Sequence, residues 1–129
     1  MVKNCNTKKG STGEHQKVVK LCLLKMTSKF CRVWANNTGM IKTEDRVVRF
    51  GLKGSSDIIG IYKGLFLGIE VKTGNAVQSK DQKFFEGMIT DMGGIYILCK
   101  NNVEQIDKIV EQEYKKITKK GERDENKNN

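Results

Sequence analysis

A β-hairpin is the element that most constrains how this chain can fold. Two short apolar runs, rich in Ile, Leu, Phe and Val, flank the dipeptide Lys63-Gly64. Such runs around a two-residue turn are typical of a hairpin, with strands expected near residues 57–62 and 65–72. Along the second strand, Leu, Ile and Val alternate with Phe, Gly, Glu and Lys, so one face is expected to be apolar and the other to carry the charges.

The same turn sets a register that brings two acidic residues together. Asp57 would face Glu70 on the neighbouring strand, and Lys72 would lie on the same face two residues beyond. Directly opposed like charges destabilise a sheet, and a divalent metal ion would compensate for this repulsion. The alternative is a surface hairpin whose acids point to water and form an ordinary Glu–Lys pair. A different loop length would shift the register.

Mg²⁺ prefers oxygen ligands in octahedral geometry and usually keeps several waters. Asp57, Glu70 and the main-chain carbonyl of Val71 would form a suitable site, completed by substrate phosphate and water. The ion would lower the pKa of a bound water and neutralise charge while a phosphodiester is attacked. Lys72 would orient that water or stabilise the added negative charge, unless it is only the ion-pair partner of Glu70.

A predicted first helix adds an acidic candidate. Residues 11–14, Ser-Thr-Gly-Glu, match a capping box. Helical spacing over residues 14–29 then gives an apolar stripe of Val18, Leu21, Cys22 and Met26. Glu14 falls on this stripe, so it either caps the helix or lies at the site, where it would hold a second metal ion or a metal-bound water.

A second predicted helix adds two amides. Residues 79–82, Ser-Lys-Asp-Gln, form another capping-box pattern and predict a helix to about Met92. Gln78 and Gln82 continue the spacing of its apolar face. Gln82 either reaches the site or only returns to the cap, and Gln78 is either exposed or a nucleic-acid contact at the site.

A glycine-flanked loop at residues 51–54 leads into the hairpin. Lys53 and the backbone N–H groups near Ser55 and Ser56 are expected to bind phosphate there, and Lys63 in the hairpin turn is counted as a further nucleic-acid contact. The loop alone is a weak signal, because it matches neither the P-loop nor the dinucleotide fingerprint.

The charge balance favours a polyanionic partner. Lys and Arg total 24 against 15 Asp and Glu, which gives a formal net charge of +9. Nucleic acid is the first expectation and an anionic membrane surface the second, and charge does not separate DNA from RNA.

Four cysteines without a C-x-x-C pair, and a single His, argue against a zinc site. A disulfide scaffold is not expected in a chain of this size, and free thiols suit a reducing cytosol. The N-terminus lacks a signal-peptide core, and no run approaches the about 18 apolar residues of a membrane span. The protein is therefore expected to be intracellular and soluble, with no membrane partner.

The predicted organisation is a flexible basic arm at residues 1–10, one domain at 11–117 and a disordered polar tail at 118–129. Within the domain the order is helix, strands, central hairpin, helix, strand and helix. This order predicts an α/β fold with a mixed central β-sheet flanked by helices.

Ser56-Asp57 followed thirteen residues later by Glu70-Val71-Lys72 resembles the PD-(D/E)XK nuclease signature. Five ordered segments more narrowly resemble the VRR-NUC (virus-type replication–repair nuclease) branch: residues 36–39, 54–60, 68–74, 78–85 and 93–96. The resemblance implies a restriction-endonuclease-like αβββαβ core. Ser56 stands where the pattern has Pro, a position that contributes no metal-binding side-chain atom.

The resemblance also implies that Asp57 and Glu70 bind Mg²⁺ or Mn²⁺, that Lys72 is the catalytic lysine, and that Glu14 and Gln82 assist. Small stand-alone relatives, many of them phage-encoded, cut branched DNA such as Holliday junctions, often as homodimers. The expected function is therefore a metal-dependent, structure-specific endodeoxyribonuclease in a bacterial or phage-infected cytoplasm. Two alternatives stay open: a non-catalytic nucleic-acid binding module with a nuclease-like fold, and a nuclease for linear DNA ends or RNA.

Overall fold

The structure is a computed structural model that describes residues 13–127, with side chains described through residue 122. The predicted arm at 1–10 and the first two residues of the predicted capping box at 11–14 lie outside the described residues. None of the helices in the described range has an apolar stretch long enough to cross a bilayer.

The elements follow one another in the order helix, strands, helix, strand and helix. Their bounds are α1 (Gly13–Met26), β1 (Cys31–Ala35), β2 (Gly39–Lys42), β3 (Val47–Phe50), β4 (Ile58–Tyr62), β5 (Leu65–Lys72), α2 (Lys80–Asp91), β6 (Ile95–Lys100), a 3₁₀ turn (Val103–Gln105) and α3 (Ile106–Lys127).

The central sheet has four strands in the order β1-β4-β5-β6. The β1–β4 and β4–β5 pairs are antiparallel and the β5–β6 pair is parallel, so the sheet is mixed. The β2 and β3 strands form a separate two-stranded hairpin. Without that hairpin the order is helix, three strands, helix, strand and helix. The mixed sheet flanked by helices confirms the predicted α/β class.

The β4–β5 hairpin has the predicted two-residue turn, in which Tyr62 pairs with Leu65. Lys63 and Gly64 adopt positive φ angles of 47° and 88°, the conformation that matches the twist of a two-residue hairpin. The ladder ends at the Ile58–Ile69 pair. The prediction that the strand begins at residue 57, with Asp57 and Glu70 paired inside the ladder, is therefore wrong by one residue.

The two faces of β5 face different helices. Leu67, Ile69 and Val71 lie in the main core with buried residues of α1 and α3. Phe66 on the opposite face packs edge-to-face against Phe85 of α2, with ring centroids 6.4 Å apart. Glu70 and Lys72 share that second face, so α2 covers the side of the sheet that carries the charges.

The predicted disordered tail at 118–129 is wrong through residue 127, because α3 continues to Lys127. The segment contains no Pro and is rich in Lys, Glu and Arg, which are good helix formers. Thr118 also donates its hydroxyl to the Tyr114 carbonyl at 3.0 Å, a bond that is local to the helix.

Gly54 allows the loop before β4 to lie against the start of α2. Its φ is +84°, and a Cβ at this position would lie 2.4 Å from the Asp81 carbonyl oxygen. Both the backbone conformation and the close approach therefore require glycine.

We expect Gly54→Ala to destabilise the fold more than Gly64→Ala, its matched control. Gly64 has a similar φ of +88° but open space around its Cβ position. Gly64→Ala should cost about 1–2 kcal/mol for the left-handed backbone, and Gly54→Ala about 1–3 kcal/mol more for the steric conflict. Urea denaturation measures both, and equal losses would contradict the close packing of this loop.

Candidate active site

A cleft of about 510 Å³ lies at the end of the sheet where β4 begins and β5 ends. Its walls come from the start of α1, the β2–β3 hairpin, the loop at residues 51–57, the end of β5 and the start of α2. Lining residues relevant to the site are His15, Arg49, Lys53, Ser55, Asp57, Glu70, Val71, Lys72 and Gln82.

Two main-chain N–H groups hold Asp57 in place, one through its carbonyl and one through its carboxylate. Its carbonyl accepts the Asn36 N–H at 2.8 Å, and its carboxylate Oδ2 accepts the Val71 N–H at 2.8 Å. The second bond takes the place of the next ladder bond between β4 and β5, which explains why the strand begins at Ile58. A peptide N–H beside the carboxylate favours its ionised form.

Glu70 points from the second face of β5 towards α2. Its Oε1 accepts a hydrogen bond from Gln82 Nε2 at 3.0 Å and lies 3.6 Å from the Lys72 ammonium nitrogen. The predicted grouping of Glu70, Lys72 and Gln82 is therefore present in the structure.

Both acids are almost completely removed from solvent. The exposed fraction of the side chain is 4% for Asp57 and 2% for Glu70. Aspartate and glutamate are rarely buried to this extent unless they are paired, because an ionised carboxylate loses its hydration. The predicted alternative of a surface hairpin with its acids in water is wrong.

Gln82 performs both of the roles that the sequence left open. Its Oε1 accepts the Ser79 N–H at 2.8 Å, which completes the predicted capping box, while its Nε2 donates to Glu70. The rigid start of α2 therefore holds the amide against the buried acid.

Gln78 does not reach the cleft. It donates to Glu86 Oε1 at 3.1 Å and to the Tyr96 hydroxyl at 3.0 Å. Burial raises the pKa of Tyr96 to about 12, so this hydroxyl stays protonated at neutral pH. Gln78 thus ties the segment before α2 to β6, and its predicted role as a nucleic-acid contact is not supported by its position.

The loop at residues 51–54 and the two serines that follow it differ in their access to the cleft. Lys53 lines the cleft, with its side chain 68% exposed and 3.4 Å from Asp81. The Ser55 N–H and hydroxyl both donate to the Leu52 carbonyl, and Ser56 is fully buried with its hydroxyl on the Ile58 carbonyl. Ser55 and Ser56 therefore shape the loop, and Ser56 cannot contact nucleic acid.

Lys63 lies at the far end of the hairpin, about 17 Å of strand away from the cleft. Its ammonium nitrogen is 2.8 Å from Glu111 Oε2 and 4.9 Å from the Tyr114 ring centroid, both on α3. The Lys63 hydrogen bond lowers the pKa of Glu111. Lys63 attaches the turn to α3 and lies away from the cleft. Its expected contact with nucleic acid stays a prediction.

Glu14 is exposed and does not line the cleft, so its predicted place on the core-facing stripe is wrong. The error comes from the phase of α1. Leu21, which the predicted stripe includes, is 41% exposed. The buried Cys22 and Met26 define a face on which His15, rather than Glu14, occupies the first turn.

His15 is the residue that sequence reasoning missed. Its Nε2 lies 3.3 Å from Asp57 Oδ2 and 3.1 Å from the Val71 carbonyl oxygen, and its side chain is 15% exposed. The signal that would have found it is the spacing of four, three and four residues from His15 through Val19 and Cys22 to Met26.

Arg49 and Phe50 of β3 were also not predicted as site residues, although both line the cleft. They come from the separate β2–β3 hairpin, whose position depends on tertiary packing. Arg49, like Lys53, is a cationic residue that lines the cleft.

Within the described part of the chain, no three His, Cys, Asp or Glu side chains are grouped closely enough to bind a metal ion by themselves. The donor groups that lie together are the Asp57 carboxylate, the Val71 carbonyl and the His15 imidazole. A second carboxylate comes from Glu70, the residue before Val71 on β5. Mg²⁺ is commonly bound through one or two carboxylates with water and substrate phosphate as the other ligands. The oxygen donors present therefore fit such an ion.

Comparison with protein-family models and with curated proteins gives no match to this chain.

We expect Gln82→Ala to destabilise the protein more than Ser79→Ala. Ser79→Ala removes one side of the capping box and should cost about 1 kcal/mol. Gln82→Ala also removes a donor to the buried Glu70 carboxylate, which should add about 1–3 kcal/mol. Chemical denaturation of the two variants provides the comparison. Similar losses would mean that the Gln82–Glu70 contact contributes little.

Proposed function

We propose that the protein is a metal-dependent endonuclease of the VRR-NUC type that hydrolyses phosphodiester bonds in branched DNA. The observation that carries the proposal is the burial of Asp57 and Glu70 beside Lys72 in a cleft with basic walls. A purely structural ion pair does not require two buried acids at a solvent-accessible cleft, whereas a cation and phosphate site does.

Asp57, Glu70 and the Val71 carbonyl would hold Mg²⁺ or Mn²⁺. When bound, the ion supplies an activated water and offsets negative charge on the substrate phosphate. The Lys72 side-chain nitrogen lies 3.6 Å from Glu70 Oε1, and this group can stabilise the added negative charge on the phosphate oxygens. Gln82 holds Glu70 in place through its amide N–H.

The basic residues of the cleft wall support nucleic acid as the substrate. Arg49 and Lys53 line the same cleft as the acids and can bind backbone phosphates. These contacts do not read base sequence, so they suit a substrate that is recognised by its shape. The preference for branched DNA over linear ends or RNA comes from the family resemblance alone.

The proposal includes a homodimer, because paired nicks in a four-way junction require two sites related by a two-fold axis. The β2–β3 hairpin exposes several apolar side chains, and a two-stranded hairpin is marginally stable by itself. The exposed fractions of Met40, Ile41 and Val47 are 42%, 41% and 50%. Sedimentation at several concentrations measures the oligomeric state.

We expect Asp57→Asn and Lys72→Ala each to abolish cleavage of a labelled four-way junction in Mg²⁺ or Mn²⁺. Both variants should still bind the junction in a gel-shift assay, because neither removes the cationic wall. The matched control is Lys116→Ala, which removes an exposed lysine of α3 that pairs with Glu113. Cleavage that persists in the Asp57 or Lys72 variant would contradict the role assigned to that residue.

We also expect Arg49→Ala and Lys53→Ala to weaken DNA binding without sequence preference. Each loss of a phosphate contact should reduce the slope of log K against log salt by about 1. Fluorescence anisotropy over a salt series gives the slope. An unchanged slope in both variants would exclude this wall as the phosphate-binding surface.

A further inference from the structure

Resting on the proposed function, we propose that His15 is a direct ligand of the cation. A site with this ligand prefers a first-row divalent transition-metal ion such as Mn²⁺ to Mg²⁺. In this site α1 supplies the imidazole of His15, and not the Glu14 carboxylate that the sequence pattern predicts.

The positions of three donor atoms support this assignment. His15 Nε2 lies 3.1 Å from the Val71 carbonyl oxygen and 3.3 Å from Asp57 Oδ2. Neighbouring ligands of an octahedral ion with bonds of about 2.1 Å are separated by roughly 3 Å. The imidazole nitrogen therefore lies at the spacing of an adjacent ligand from both oxygens that are assigned to the cation.

The main core holds His15 in this position. Cys22 and Met26, on the same face of α1, are 0% and 3% exposed. Cys22 lies 3.9 Å from Cys99 of β6, measured between the sulfur atoms. Cys22 and Met26 anchor α1 about two and three turns beyond His15. A rigid element therefore presents the imidazole to the end of β5, as a metal ligand requires.

The ligand type determines the expected metal preference. Mg²⁺ is a hard ion that selects oxygen ligands, whereas imidazole suits transition-metal ions. An all-oxygen site would accept either ion. Replacing one oxygen ligand by a ring nitrogen should favour Mn²⁺ without excluding Mg²⁺, since Asp57 and the Val71 carbonyl still bind both.

The test measures metal binding by the full chain without DNA. Calorimetric titration with Mn²⁺ and with Mg²⁺ gives the ratio of the two dissociation constants. We expect His15→Gln to weaken Mn²⁺ binding at least about tenfold, the size of effect seen when a partner of a metal ligand is removed. Mg²⁺ binding should change much less, so the preference for Mn²⁺ should disappear. Gln16→Ala, which changes the exposed neighbour, is the control and should retain the wild-type ratio.

Pulsed electron paramagnetic resonance of bound Mn²⁺ gives a second readout that does not depend on a variant. A directly bound imidazole produces ¹⁴N coupling, which we expect in the wild type and not in His15→Gln. Absence of that coupling in the wild type would overturn the proposal even if the variant failed to fold.

Two other results would also overturn the proposal. One is an unchanged ratio of the Mn²⁺ and Mg²⁺ dissociation constants in His15→Gln. The other is a loss of Mn²⁺ binding in Glu14→Gln while His15→Gln keeps wild-type Mn²⁺ binding. These outcomes are separate from the proposed function. Cleavage by the wild type tests the nuclease, whereas the binding ratio and the nitrogen coupling test the ligand.

Discussion

The burial of two carboxylates at the end of one hairpin is the constraint on which the rest of the site depends. Removing an ionised carboxylate from water costs several kcal/mol unless hydrogen bonds and opposite charges compensate. Asp57 receives the Val71 N–H at 2.8 Å, and Glu70 receives the Gln82 amide at 3.0 Å. The hairpin register and the capping geometry of α2 are therefore both required to keep these acids in place.

The same constraint links the site to the fold on each side of the sheet. On one face, Phe66 and Phe85 pack α2 against β5 and bring Gln82 to Glu70. On the other, the main core fixes α1 and brings His15 to Asp57. The loop before β4 forms one wall of the cleft. Glycine at position 54 allows this loop to pack against the start of α2. Packing far from the acids thus determines which side chains surround them.

Local signals predicted the parts of this arrangement that depend on neighbouring residues. The two-residue turn at Lys63 and the capping box at Ser79 were both correct, and with them the grouping of Glu70, Lys72 and Gln82. The predicted phase of α1 was wrong, because counting the exposed Leu21 as buried rotates the predicted face away from His15. Contacts between distant segments, such as Lys63 with Glu111, have no signature in local spacing.

We propose that these buried acids form a cation-dependent site for phosphodiester hydrolysis. The most direct measurement is a cleavage panel for the wild type with Mg²⁺, Mn²⁺ or EDTA, over four-way, three-way, flap, linear and RNA substrates. We expect cleavage of branched DNA with a divalent ion and none with EDTA. A folded protein that binds both the ion and branched DNA but cuts no substrate in the panel would contradict this proposal.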